Sequence, residues 1–298
     1  VVLLFGEPVT LSLGDNLRGR REFLTHLERT DPMVFHTFSG WNRPEDTGLE
    51  LYGPYLMSSV NSGYNFGNND RSAWQGRGVS QFLTGGVSYH TGYLDAYLLP
   101  EISWTQNAHY AIRDAAVGDP EFGNYWWGLD QPQRFGDDPL YTIHPGQSSL
   151  TFHRWNTALS LGTQNIALGP GQRNTLILSE NAPGFPHISL GTYTPWTGDF
   201  GQLEWQLFWG RLRESEFYDN DSSNDHRLLV GASVAYAFPF LPNLTLGVNR
   251  MILSPWEEAG AYEALQMFET FWKGVRPRDD ENDNTDQVIS LVGQLKFP

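Results

Sequence analysis

The 298-residue chain has no cysteine, which excludes disulfides and thiolate metal sites and suits a protein exported through an oxidising compartment. It also lacks any apolar run near the roughly 20 residues of a spanning helix. A chain of this kind can cross a bilayer only as a closed β-barrel, in which every backbone amide finds a partner. Positive charge is scarce: 19 Lys and Arg face 34 Asp and Glu, a net charge of -15. That balance excludes nucleic acid as a partner, because phosphate binding needs clustered cations. Absent too are a His-Glu-x-x-His zinc pattern, a nucleophile elbow and a phosphate-cradling glycine loop. The reading is therefore non-enzymatic, with no cofactor implied.

What is abundant is glycine (31), phenylalanine (18), tyrosine (13) and tryptophan (11), a composition of strands and turns. Period-2 alternation dominates the pattern. In 202–212, Leu203, Trp205, Leu207 and Trp209 share one face and Gln202, Glu204 and Gln206 the other. In 243–253, Leu244, Leu246 and Val248 oppose Asn243, Thr245, Gly247 and Asn249. In 227–238, Leu228, Val230, Ala232, Val234 and Tyr236 oppose small residues. Similar alternation at 81–90, 93–103, 148–161 and 287–297, a short run at 163–169, and N-terminal runs near 2–13, 33–39 and 49–61 bring the expectation to about twelve strands. Helical spacing is confined to 15–30, read as an external loop with a short helical turn, and to 256–272.

Alternation alone fits a soluble sandwich as well as a barrel. Loop lengths separate the two, because outer-membrane barrels alternate short periplasmic turns with long external loops. Thr91-Gly92, Thr197 to Gly201 and Pro239 to Pro242 are short joins that fall at one end. Residues 62–80, 104–147, 170–187, 213–226 and 254–286 then gather at the other. The expected fold is all-β, an antiparallel transmembrane barrel forming a single domain over 1–298.

Three stretches carry a family resemblance: Asn69-Asp70-Arg71-Ser72-Ala73-Trp74-Gln75-Gly76-Arg77-Gly78, the Pro- and Gly-punctuated run from Gly169 to Gly191, and Phe208-Trp209-Gly210-Arg211-Leu212. In order and spacing they resemble the capsule assembly Wzi family of outer-membrane β-barrels, over roughly residues 50–298. The resemblance implies a lectin-like barrel in the bacterial outer membrane that holds capsular polysaccharide without catalysis. Implied partners are surface polysaccharide, outer-membrane lipid and other envelope proteins of unknown identity. It also implies a larger barrel and a preceding helical bundle, for which the sequence shows little, so the chain reads as part of a longer one. The competing readings are a diffusion porin and a soluble carbohydrate-active all-β protein whose carboxylates pair in space.

Saccharide sites set aromatic faces against sugar rings and give the hydroxyls planar amides and charged groups. The candidates are Trp74 and Arg77 in one long loop, with Tyr64, Asn68 and Asn69 nearby, and Tyr125, Trp126, Trp127, Gln131, Gln133 and Arg134 in the next. For any single Trp the interfacial girdle is the competing role. Arg173, Asn174, Asn181 and His187 are expected to hydrogen-bond a loop folded toward the lumen onto residues such as Glu204. Clustered carboxylates in two acidic loops could hold Ca²⁺ through Asp279, Asp280 and Asp283, but their order does not reproduce EF-hand spacing and they read as solvated loops. His90, His144 and His226 stand alone in the sequence and read as loop or turn residues, not ligands.

Overall fold

A computed structural model describes residues 9–12, 47–65, 70–114, 119–123, 130–168, 177–256 and 285–295. These form one antiparallel sheet of fourteen strands. In chain order they are β1 (Val9–Ser12), β2 (Gly48–Asn61), β3 (Gly78–His90), β4 (Leu94–Leu98), β5 (Glu101–Thr105), β6 (Leu140–His144) and β7 (Ser149–Arg154). They continue as β8 (Thr157–Gly162), β9 (His187–Thr192), β10 (Trp196–Gly198), β11 (Gly201–Arg213), β12 (His226–Phe238), β13 (Leu241–Pro255) and β14 (Asp286–Leu295). Several lie end to end along one line: β3 pairs with β4 through Val87 to His90 and with β5 through Ser80 to Thr84. Such breaks, at Leu99-Pro100 among other places, account for fourteen segments where about twelve strands were expected.

From β2 onward the connections sort as the loop lengths predicted. Strand ends joined by 62–77, 106–139, 163–186, 214–225 and 256–285 lie at one pole, the mouth. Tight turns at 91–93, 155–156, 199–200 and 239–240 lie at the other, the turn pole. Before β2, β1 runs from beside Val60 toward the turn pole, where β2 begins, so the long connection between those two strand ends departs from the pattern. One hairpin was misread: 148–161 is not a single strand but β7 and β8, in register from Arg154↔Thr157 outward. Trp155 and Asn156 hold φ of 49° and 62°, the left-handed pair that a two-residue type I′ turn demands. The expected strand at 163–169 is likewise no strand over its described residues, 163–168. These two errors offset one another, so the number of crossings, and with it the sorting of the loops, survived. The expected strand at 33–39 and the helical segments at 15–30 and 257–272 lie outside the described residues.

The sheet is inside-out by the standard of a soluble protein. In β3 the buried positions are Ser80, Phe82, Thr84, Ser88 and His90, while Leu83 and Tyr89 are exposed. Leu159 and Leu161 point outward beside buried Ser160, and Leu246 and Val248 beside buried Thr245 and Asn249. The extremes make the contrast plain, with Leu51 77% and Leu291 78% exposed against 0% for Ser88, Glu101 and Ser189. In water each such aliphatic would forgo about 1.5–3 kcal/mol of burial. Turning the sheet over would instead bare the interior hydrogen bonds and set aliphatics against them. Around β11 and β12 the outer face is packed, with Leu228, Val230 and Ala232 against Leu207 and Trp209.

The interior is filled from the mouth. The segment that fails to be a strand places Ile166 and Leu168, each 1% exposed, against the inward-facing Phe208, Leu229 and Met251. Ile177, Leu178 and Phe185 pack on the same cluster, so both described arms of this loop, 163–168 and 177–186, enter the interior. Two glycines make the room. A Cβ on Gly231 would stand 2.0 Å from the Phe208 ring, and one on Gly210 2.3 Å from the Phe185 ring. Phe208-Trp209-Gly210 is thus a plug contact, an outward aromatic and the gap that seats Phe185.

Candidate functional site

Three long loops meet at the mouth, and one residue binds the first of them to the plug. Arg71 sits at φ 57°, a left-handed conformation that costs a non-glycine residue about 1 kcal/mol or more. Its backbone N–H donates to Glu180 O at 2.8 Å, and its Nε and Nη2 reach Glu180 Oε2 at 3.3 and 3.2 Å. Its Nη1 lies 4.0 Å from Glu101 Oε1. The fully buried Glu101 accepts Ser72 Oγ at 2.7 Å and Gln147 Nε2 at 3.2 Å. Gln147 in turn pairs with Asn165, whose Nδ2 donates to Ala182 O at 2.8 Å. A buried guanidinium with two carboxylates is stable only when the remaining donors and acceptors are met. Here the bonds that meet them stitch the loop at 62–77 to β5 and to the plug.

Above this network lies a cavity of about 250 Å³, lined by Asn65, Asp70, Arg71, Ala73, Trp74 and Gln75 from the first loop. Asp130, Gln131, Pro132 and Phe135 come from the second, and Asn181, Ala182 and Pro183 from the plug. Trp74 is half-buried and tilted against Phe135 at 4.9 Å between ring centres, which fixes its orientation. Gln75 is held between Ser59 Oγ and Asp70 Oδ2, both at 2.7 Å. An aromatic ring, planar amides and carboxylates around one open cavity is the donor set that sugar hydroxyls and a sugar ring face require.

Of the residues singled out from sequence, Trp74, Gln131 and Asn181 line this cavity. Arg77 is half-buried beside it, 3.5 Å from His109 O. Arg134 has a different role: it is buried, donates to Tyr110 O and Gly136 O, pairs with Asp137 and lies over the Phe122 ring. Its guanidinium ties the second loop together and faces no open space. Glu204 is buried on the inward face of β11, as expected, and His187 Nδ1 lies 2.8 Å from Phe185 O. Tyr125, Trp126, Trp127, Asn68, Asn69, Arg173, Asn174, Asp279, Asp280 and Asp283 lie outside the described residues. Asp70, Gln75 and Asn65 were not singled out as contacts, and no periodicity marks them; the link between three loops is spatial.

The turn pole holds a second polar cluster. His90 is not alone. Its Nδ1 lies 2.9 Å from Asp95 Oδ1 and its Nε2 2.7 Å from Ser88 Oγ. The other oxygen, Asp95 Oδ2, accepts Tyr193 Oη at 2.6 Å and lies 3.4 Å from His153 Nε2. His153 stacks on Tyr193 at 3.7 Å. Ser88, His90 and Asp95 reproduce the distances of an acyl-transfer triad, but Ser88 is 0% exposed and Tyr52 Oη closes on its Oγ at 3.2 Å. No carbonyl could approach that oxygen, so the cluster seals the interior. His144, expected as a loop or turn residue, instead ends β6 opposite Glu101, and its Nδ1 accepts the Gly146 N–H at 2.9 Å.

With the geometry established, comparison with known proteins decides the family. The model described as capsule assembly protein Wzi matches residues 57–291. The chain belongs to the Wzi capsule assembly family. All three motif stretches fall inside that span. The chain is also similar to a solved structure, Wzi of Escherichia coli, an outer-membrane protein involved in group 1 capsule assembly and described as a carbohydrate-binding β-barrel. There the TM-score is 0.43 at 12% identity, over 85% of this chain and 55% of that one, so this chain spans little more than half that protein's length. No curated protein matches significantly.

Proposed function

We propose that this Wzi-family chain forms part of an outer-membrane barrel that binds cell-surface polysaccharide at its mouth and performs no covalent chemistry on it. The observation that carries the reading is the cavity where three long loops converge, with Trp74 as the ring-stacking face and Gln75, Gln131 and Asn181 as hydroxyl partners. The outward aliphatics support a wall that faces lipid, with the long loops toward the cell exterior. Membership of a capsule assembly family supplies the class of ligand. Arg77, together with Tyr125, Trp126 and Trp127 of the second loop, extends the proposed contact surface.

Against a diffusion porin stands the plug: Ile166, Leu168 and Phe185 occupy interior space that a conducting pore would leave to water. Against acyl transfer stands the burial of Ser88, the serine in triad geometry among the described residues. The test uses the detergent-purified protein and polysaccharide from its own host. Saturable binding that Trp74→Ala weakens about tenfold, with silent planar bilayers, is expected. Open-channel conductance without polysaccharide binding would replace the lectin by the porin.

A further inference from the structure

Charge around the mouth cavity narrows the ligand further, on the reading that the cavity holds a saccharide. Two carboxylates, Asp70 and Asp130, line it, and Arg71 is the cation among the described lining residues. That guanidinium is already engaged by Glu180 on one edge and faces Glu101 on the other. Two carboxylates thus engage that cation and two others line the cavity. The neighbouring Arg134 is turned away onto Asp137 and backbone carbonyls.

The acidity continues outward. Asp130 accepts the Ser215 N–H at 2.7 Å and also its hydroxyl, drawing the loop at 214–225 against the cavity's edge. That loop brings Glu214, Asp219 and Asp225, and burial together with Asp219, Asp225 and Asp130 pushes the Glu214 carboxyl up to about 7. Burial is the first cause of that rise, and the three aspartates add to it against the opposing Arg227.

We infer that the mouth cavity is selective for an uncharged sugar ring and turns away uronates and other anionic units. Carboxylates accept hydrogen bonds and donate none, so Asp70 and Asp130 take the protons of sugar hydroxyls, while an incoming carboxylate offers them none and adds like charge. Gln75 holds Asp70 in place for this role.

The experiment compares three forms of the host polysaccharide on the detergent-solubilised wild-type protein: untreated, with its carboxyl groups reduced to alcohols, and with its C6 hydroxymethyl groups oxidised to carboxylates. The reduced form is expected to bind at least as tightly as the untreated one. The oxidised form should bind at least about tenfold more weakly, the loss shrinking toward 1 M salt, where screening falls to about 3 Å. Loss of binding on carboxyl reduction, or undiminished binding of the oxidised polymer, overturns the selectivity and leaves the polysaccharide reading intact. So does a loss on oxidation that salt does not relieve, because it is then a lost hydroxyl contact. If none of the three forms binds, the polysaccharide reading fails and takes the inference with it.

Discussion

The mouth and the turn pole are built from the same kinds of residue and do opposite things. Each sets a buried carboxylate among donors from several strands: Glu101 with Ser72, Gln147 and Arg71, and Asp95 with His90, His153 and Tyr193. At the turn pole, stacked rings and Tyr52 fill the remaining space, so even a Ser-His-Asp arrangement has nothing to act on. At the mouth the network stops short and leaves a cavity faced by Trp74. Chemistry-bearing residues make a site only where packing leaves them access, and here access is set by where long loops meet.

The sharpest way to break this contrast is at Asp95. Replacing it by Ala strips partners from three buried groups at about 1–3 kcal/mol each. The barrel's melting temperature, read by heat-modified migration on a gel, should fall markedly while polysaccharide binding by the folded fraction is unchanged. A loss of binding at unchanged stability would make the turn pole, not the mouth, the functional end. Next in size is Gly231→Ala, whose methyl meets the Phe208 ring and unseats the plug at about 1–3 kcal/mol. Conductance should then appear in bilayers where the wild type has none; silence would mean that the plug is held elsewhere.

Trp74→Ala should leave stability nearly untouched and weaken polysaccharide binding about tenfold, the scale of one aromatic contact. Equal affinities measured by calorimetry would reduce Trp74 to a packing partner of Phe135. The smallest effect is at Glu214. Its carboxyl is raised above the ordinary value of 4.5 to about 7, so the folded state favours the protonated form. The loop should be tightest below pH 4.5 and loosen as pH climbs through 7. Glu214→Gln should abolish that dependence, read as protease sensitivity at 214–225 between pH 4 and 8. A wild-type loop equally sensitive across the range would remove the acidic rim from the account.

The sequence carries the barrel far more legibly than the site. Alternation in Leu203 to Trp209 and Leu244 to Asn249 is a one-dimensional signal, written by each strand having lipid on one side and polar interior on the other. The hairpin at Trp155-Asn156 was missed because its turn lacks the usual Asn-Gly or Gly-containing pair, and a turn without glycine leaves the alternation looking unbroken. The segment at 163–168 imitates a strand because Ile166 and Leu168 alternate, yet their apolar partners are inside. Trp74 could be picked out by residue type alone. Arg71, Glu101 and Glu180 lie 109 positions apart end to end, and a buried arginine reads no differently in sequence from an exposed one. The same holds for Arg134, whose charge suggested a ligand contact and whose fold gives it Asp137.

Everything above rests on the sheet having its apolar face outward. Because the chain has no cysteine, single cysteines can be placed along β11 at 202 to 207 and spin-labelled in lipid bilayers without removing anything native. The labels at Leu203, Trp205 and Leu207 should be relaxed by oxygen dissolved in the bilayer, and those at Gln202, Glu204 and Gln206 should not. The reverse alternation, or none at all, would contradict the account.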